Sequence, residues 1–395
     1  MKIKFLISLF FLSFFFACKN DKSAQELSKH INYKKSLVPS KKVTLKNNGY
    51  FYSFYTQTDS SNDSIVYRKK MRSGKDGIDI YNIYKKESQK EIIFTPEVLR
   101  LLGRYHGFNV KSKDSIFLFG LNKIMMINSA GDILFERKLL SDDQFSENKP
   151  ISSAAVMNKS QPYIFQNKIY LTYWVDLPPD KSNTLYKSNV TSIYHIDDGR
   201  FFEMDSSNYP ASYFDKCLTS LDTEVSNVLR KNTAVFSYPI EDTLYIHTLD
   251  EKKAIKKKIA RSKYKEREVK QIRCDKLWGG QKTYFKHSFE SFLYTDLVYD
   301  RYRDVYYRFC KHLKKDYNMN DKFNSLNDTF SIMVLDNQLN VIYETAILNT
   351  KPKYISFDYF INKEGLWIST NNPDNENYKE DELGFELFKL KNNEN

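Results

Sequence analysis

The sequence predicts an all-β chain, folded as a single six-bladed β-propeller-like domain behind an N-terminal targeting segment and a short tether. Three observations predict the propeller. Short apolar runs opened by a polar turn residue recur six times, at Asp63, Asp114, Asn167, Asp242, Asp304 and Glu364. The intervals between them, from 51 residues (63 to 114) to 75 residues (167 to 242), suit a unit of three or four short strands. The composition also favours strands, with 29 Tyr, 29 Phe and an aromatic share of 15%. A lone blade cannot bury both of its faces, whereas closing six into a ring covers them. The same runs could alternatively form a two-sheet sandwich followed by a second β domain.

In chain order, the first element is a targeting segment. Lys2 and Lys4 form a positive start, and Phe5 to Phe16 is apolar but shorter than the roughly 20 residues a bilayer-spanning helix needs. Phe15-Phe16-Ala17-Cys18 resembles the lipobox of bacterial lipoproteins, with Phe15 where Leu is usual. That resemblance makes residues 1–17 a signal peptide and Cys18 the lipidated residue. A secretory signal beside an unrelated Cys is the alternative. Residues 18–40 are polar and read as the lipidated Cys and a flexible tether, leaving 41–395 as the propeller.

Within that domain each repeat continues as a meander. Ile193 to Ile196 runs into the hairpin turn Asp197-Asp198-Gly199, and Phe330 to Leu335 into Asp336-Asn337. Third runs follow, as at Arg200–Met204 and Val341–Thr345. Phe385 to Leu390 is a closing alternating strand, and a strand near Lys41–Leu45 is expected to complete the last blade. Helical signal is thin. Pro96 to Gly103 begins with Pro and ends with Gly, as a short helix does. Leu218 to Lys231 spaces Leu221, Val225, Val228 and Leu229 at helical intervals, and Phe309 to Tyr317 suits a further turn.

The net charge of +12 is diffuse, and its densest stretch is Lys252 to Lys270. We read that stretch as a solvated blade edge rather than a nucleic-acid patch, because edge lysines block strand pairing between molecules. A net positive face suits anionic envelope glycans or lipids instead. Beyond Cys18 there are Cys217, Cys274 and Cys310, with no CxxC spacing. They read as buried free thiols, with neither a zinc site nor a stability-critical disulfide.

Catalytic signatures such as GxSxG, HExxH, the P-loop and GxGxxG are missing, and His30, His106, His195, His247, His287 and His312 show no metal-type spacing. No metal or cofactor is therefore expected. Tyr173-Trp174-Val175-Asp176 looks like a receptor-propeller blade motif but occurs once, and Trp174, Trp278 and Trp367 read as core. Two places are candidate ligand sites. Arg104 and His106 sit in the glycine-bracketed loop Gly103–Gly107, where they could bind an anion or polar ligand. Arg301, Arg303 and Arg308 lie beside Tyr302 and Tyr306, a combination suited to stacking on sugars or peptides.

Several fold-type motifs carry a resemblance. They are Gly107-Phe108 before Asp114–Leu118, Ala234–Pro239 before Asp242, Tyr299-Asp300 before Val305–Arg308, and Lys363–Ser369. With these the chain resembles an uncharacterised family of Bacteroidetes envelope lipoproteins, domain of unknown function 4221, with a propeller-like fold. The resemblance implies an anchored periplasmic or surface propeller and transfers no catalytic residue. The expected function is a monomeric, lipid-anchored binding or scaffold module for an envelope protein or polymeric ligand such as a glycan. It would hold the membrane through Cys18 and take no nucleic acid. The alternative is a glycan lyase or hydrolase whose acid and base come from several blades.

Overall fold

The computed structural model of the chain describes residues 35–46, 51–70, 76–112, 114–139, 151–175, 189–204, 207–214, 218–249, 256–265, 286–287, 289–314 and 326–392. Cys18, the signal peptide, Cys217, Cys274, Trp278, His30 and Asp176 lie outside these residues, as does the side chain of Trp174.

Six antiparallel sheets follow one another along the chain as the blades of a propeller. Blade 6 opens the chain with β1 (Lys35–Lys46) and closes it with β23 (Ile355–Asn362), β24 (Gly365–Ser369) and β25 (Glu382–Asn392), in the order β1-β25-β24-β23. Blade 1 is β2 (Thr56–Thr58), β3 (Ile65–Lys70), β4 (Gly77–Asn82) and β5 (Glu87–Ile93). Blade 2 is β6 (Gly107–Ser112), β7 (Ser115–Phe119), β8 (Lys123–Ile127) and β9 (Ile133–Lys138). In blade 3, β10 (Ile151–Ala154) and β11 (Tyr163–Phe165) share one neighbour, β12 (Lys168–Val175), followed by β13 (Thr191–His195) and β14 (Phe201–Glu203). Blade 4 is β15 (Ser226–Arg230), β16 (Thr233–Ser237), β17 (Thr243–Thr248) and β18 (Lys256–Ile259). Blade 5 is β19 (Leu293–Asp300), β20 (Val305–Lys311), β21 (Phe330–Leu335) and β22 (Val341–Glu344).

Five of the six predicted starts open the second strand of a blade. Asp242 instead opens the third strand of blade 4, whose second strand begins after Lys231-Asn232. The reason is physical. Polar, left-handed-tolerant residues serve every hairpin of a blade alike, so they mark a turn without saying which one. Asn167, Lys231 and Asp304 all hold positive φ at the first hairpin of their blades (61°, 48° and 52°).

The expected closing strand is present and longer than predicted. It starts at Lys35, within the stretch read as tether, and pairs with β25 from Lys35↔Asn392 to Lys46↔Glu382. A register break between Pro39 and Lys42 accommodates the proline, which the outermost strand of a sheet tolerates. The seam is sealed by an apolar cluster that unites Val43, Leu45, Trp367, Phe385 and Leu387 of blade 6 with Val66 and Tyr81 of blade 1. Beneath it, Arg68 of blade 1 reaches the fully buried Asp358 of blade 6 at 2.9 Å. Trp367 is core, as its sequence context suggested.

The helix at Pro96–Leu102 forms as predicted, with Thr95 capping its start and Gly103 (φ 69°) its end. The helical reading of Leu218–Lys231 is corrected. Only Ser220–Thr223 is helical, and Ser226–Arg230 is the first strand of blade 4, because pairing with β16 overrides a local period. Phe309 to Lys311 likewise belongs to strand β20 rather than to a turn. Asp197-Asp198-Gly199 sits in the β13–β14 turn, with Gly199 at φ 70°. Of the basic stretch residues 256–265 are described: Lys256–Ile259 is β18, the mostly exposed outer strand of blade 4, whereas Lys265 is buried and pairs with Asp242 at 2.8 Å.

Candidate functional site

The first strands of the blades line the propeller axis, and there blade 3 departs from the others. Its inner strand is cut in two. β10 pairs with the end of β12 and β11 with its beginning, while residues 155–162 between them cross the channel. The crossing is a tight turn, with the Ser160 N–H donating to the Met157 carbonyl at 3.1 Å. Asn158 occupies its tip. The Asn158 side-chain amide donates to the carbonyls of Phe357 (2.8 Å) and Tyr359 (3.2 Å) in blade 6. Its Oδ1 accepts from the Thr56 N–H (2.8 Å), and its own N–H donates to the Phe54 carbonyl (2.9 Å) by blade 1.

The other blades grip the same turn. The Lys159 carbonyl accepts from the Asn227 N–H (2.9 Å) and Ser226 Oγ (2.8 Å) of blade 4. Ser226 Oγ also accepts from the Leu297 N–H of blade 5 at 2.7 Å. Asn109 of blade 2 donates to the Pro162 carbonyl at 3.1 Å. Gly107 has to be glycine here, because a Cβ would stand 2.4 Å from Val156 Cγ1. The turn is thus an axial plug with a cavity on each side, and Asn158 lines both.

The first cavity, about 290 Å³, opens where the innermost strands end. Thr56, Gln57, Asn158, Gln161 and Asn227 supply amides and hydroxyls, and Tyr163, Tyr299, Tyr302 and Arg301 form its rim. Among the described residues no carboxylate lines it. Two of its lining residues, Thr56 and Asn227, are buried, and among the described residues Thr56 Oγ1 and Asn227 Oδ1 have no hydrogen-bond partner.

The second cavity, about 400 Å³, opens where the innermost strands begin. Phe54 and Phe357 stack in its wall with centroids 4.8 Å apart and planes at 16°. Lys159 pairs with Glu224, and Lys311 lies 3.5 Å from Asp328. Asp296, 4% exposed, accepts from the Tyr359 hydroxyl at 2.9 Å. Burial raises the carboxyls of Asp296 and Asp328 above the usual carboxylate range, against the pull of Lys159 and Lys311 respectively. The pairing register shifts in β19 between Tyr294 and Asp296, and in β23 between Ile355 and Tyr359, beside the cavity residues Asp296 and Phe357.

The predicted site residues do not converge. Arg301 and Arg303 share the β19–β20 hairpin. Arg301 is exposed at the rim of the first cavity, against the Tyr302 hydroxyl (2.8 Å). Arg303 clamps blade 5 to blade 6, pairing with Asp300 at 2.7 Å and donating to the Asn362 and Lys363 carbonyls. Arg308 is fully buried and donates to Ser237 Oγ and to the carbonyls of Glu241, Asp242 and Ala260. Arg104 and His106 precede the inner strand of blade 2, away from both cavities. Arg104 is exposed, and the His106 carbonyl accepts from Lys69 Nζ at 2.6 Å. Burial, then Lys69 and Arg104, lower the His106 imidazole to about 4.

Sequence reasoning missed the plug and both cavities. Its one available signal was an Asn or Asp inside an apolar inner run, as at Asp296 in Leu293–Asp300 and Asp358 in Ile355–Asn362. It also missed a Ser291–His287–Asp222 chain, with contacts of 3.3 Å and 3.2 Å. All three residues are buried, and Asp222 is bonded to the Thr219 cap, so no Oγ faces a substrate. Among the described residues no group of three or more His, Cys, Asp or Glu could hold a metal ion. Cys310 is a buried free thiol among them.

A profile described as "Domain of unknown function (DUF4221)" matches residues 23–346. The structure is similar to that of a DUF4221 family member from Bacteroides vulgatus, with 20% identity and a TM-score of 0.77 over 92% of this chain and 100% of that one. A Bacteroides fragilis protein is similar with 10% identity and a TM-score of 0.50, over 91% of this chain and 96% of that one. At these identities the likeness is one of fold. No curated protein matches the sequence.

Proposed function

The chain belongs to the DUF4221 family, and on that footing we propose that it is a lipid-anchored binding module of the cell envelope, whose ligand is a hydroxyl-rich polymer such as a glycan. Acylation at Cys18 would hold it at the membrane through the polar residues that follow. The observation that carries the binding role is the first cavity. Amides and hydroxyls from several blades converge there, and tyrosines with Arg301 ring the opening. Sugar hydroxyls both donate and accept, so they match amide and hydroxyl groups of either polarity. Sugar rings stack on tyrosine faces.

Isothermal titration of the soluble domain with envelope polysaccharides tests this reading. Tyr302→Ala and Gln161→Ala should each weaken binding about tenfold or more, a loss of roughly 1.4 kcal/mol. Unchanged affinity in both variants, or no polysaccharide bound, would refute it. The anchor is tested separately: Cys18→Ala should move the protein from the membrane to the soluble fraction, and wild-type protein that takes up no labelled fatty acid would refute that part.

A further inference from the structure

We propose that the second cavity is a separate site for a small organic amine, a protonated primary ammonium carried on an aromatic or apolar body. The charge count motivates it. Lys159 and Lys311 are each matched by a carboxylate, Glu224 and Asp328. Asp296 is a third carboxyl on the same cavity; Lys159 attracts it from a distance, no Lys or Arg of the described residues pairs with it within 4.0 Å, and its bonded partners are the neutral hydroxyls of Tyr359 and Thr295. A ligand cation would supply the missing charge, at a position already desolvated by the protein.

The walls select the rest of the ligand. Phe54 and Phe357 present stacked rings, and Tyr52 packs edge-on against both, at 5.3 Å and 5.6 Å. Leu221, Leu293 and Phe289 complete an apolar lining. Ring faces attract ammonium groups and also bury an apolar body. The volume of about 400 Å³ lies within the range of small-molecule sites. This site does not depend on the glycan reading, because it lies on the other side of Asn158.

Phenethylammonium and its uncharged counterpart 2-phenylethanol are the probes, titrated calorimetrically at pH 7.5 into the soluble domain. The ammonium should bind at least tenfold more tightly than the alcohol. Asp296→Asn keeps an acceptor for Tyr359 and should erase that preference. Phe357→Leu keeps an apolar wall and should weaken the ammonium more than the alcohol. Equal binding of the two probes, an unchanged preference in Asp296→Asn, or no binding of either at 10 mM would overturn the proposal. Should Asp296→Asn fail to fold, the wild-type preference and Phe357→Leu decide the question alone.

Discussion

The Arg308 guanidinium of blade 5 lies 3.5 Å from the centre of the Tyr294 ring. From that position it donates to three carbonyls and one hydroxyl of blade 4, so one side chain ties two blades together. Arg308→Met would leave those buried acceptors unmet and should cost about 3–5 kcal/mol. Arg308→Lys should recover only part of the loss, since an ammonium cannot reproduce the planar fork. Urea unfolding measures both. A lysine variant as stable as wild type would show that charge alone matters here.

Blade 6 is built from both ends of the folded chain, and β25 lies between β24 and β1. Deleting residues 384–395 therefore removes the middle of the seam. It should expose the cluster around Trp367 and Leu45, giving aggregation on gel filtration, whereas deleting residues 19–34 should leave a folded monomer. A soluble, cooperatively melting C-terminal truncation would contradict the importance of the seam.

Asn158 satisfies its side chain on blades 1 and 6 at once. Asn158→Ala should lower stability by about 2–4 kcal/mol through three lost bonds. Asn158→Asp should be worse near neutral pH, because a carboxylate would face the Phe357 and Tyr359 carbonyls. Thermal melts at pH 7 rank the three proteins, and an Asp variant above the Ala variant would contradict the assigned bonding.

Burial lowers the imidazoles of His106, His247 and His312 to about 4. An unfolded imidazole takes its proton near 6.5, so the stability each contributes is complete above that pH and is lost as pH falls towards 4. Asp296, Asp328 and Asp358, whose carboxyls burial raises, act with the opposite sign: their contribution is present at low pH and is lost as pH rises. His247 packs on Phe236 at 5.2 Å, so His247→Phe isolates one term. Relative to wild type, the variant should gain about 2 kcal/mol between pH 7 and pH 5. Parallel stability curves for the two proteins across that range would refute a buried neutral imidazole.

The blades were legible because hairpins have a local grammar. Turn residues at Asp114 and Asp304, followed by alternating apolar residues, state strand, turn and strand within a dozen positions. Phe385 to Leu390 and Lys41 to Leu45 each read as a strand, but their meeting in one blade rests on analogy with closed propellers rather than on a local pattern. The axis was not legible. Asn158 matters through partners at Thr56 and Tyr359, about 100 and 200 residues away, and no local period encodes such meetings. Asp296 and Asp358 also lie at register breaks, which a strict two-residue alternation does not anticipate. Arg303 and Arg308 illustrate the converse. Arginine beside tyrosine suggests ligand chemistry, yet the same pairing joins neighbouring blades.

The pairing of Lys35 with Asn392 has a mechanical consequence. A pull on the residues before Lys35 reaches the ring at the free end of an outermost strand, against one hydrogen-bonded pair at a time. The closing strand would then peel rather than shear, and peeling needs far less force than sliding a whole strand past its neighbour. In an optical trap, traction through that end should release β1 first, as a small early extension ahead of the unravelling of the remaining blades.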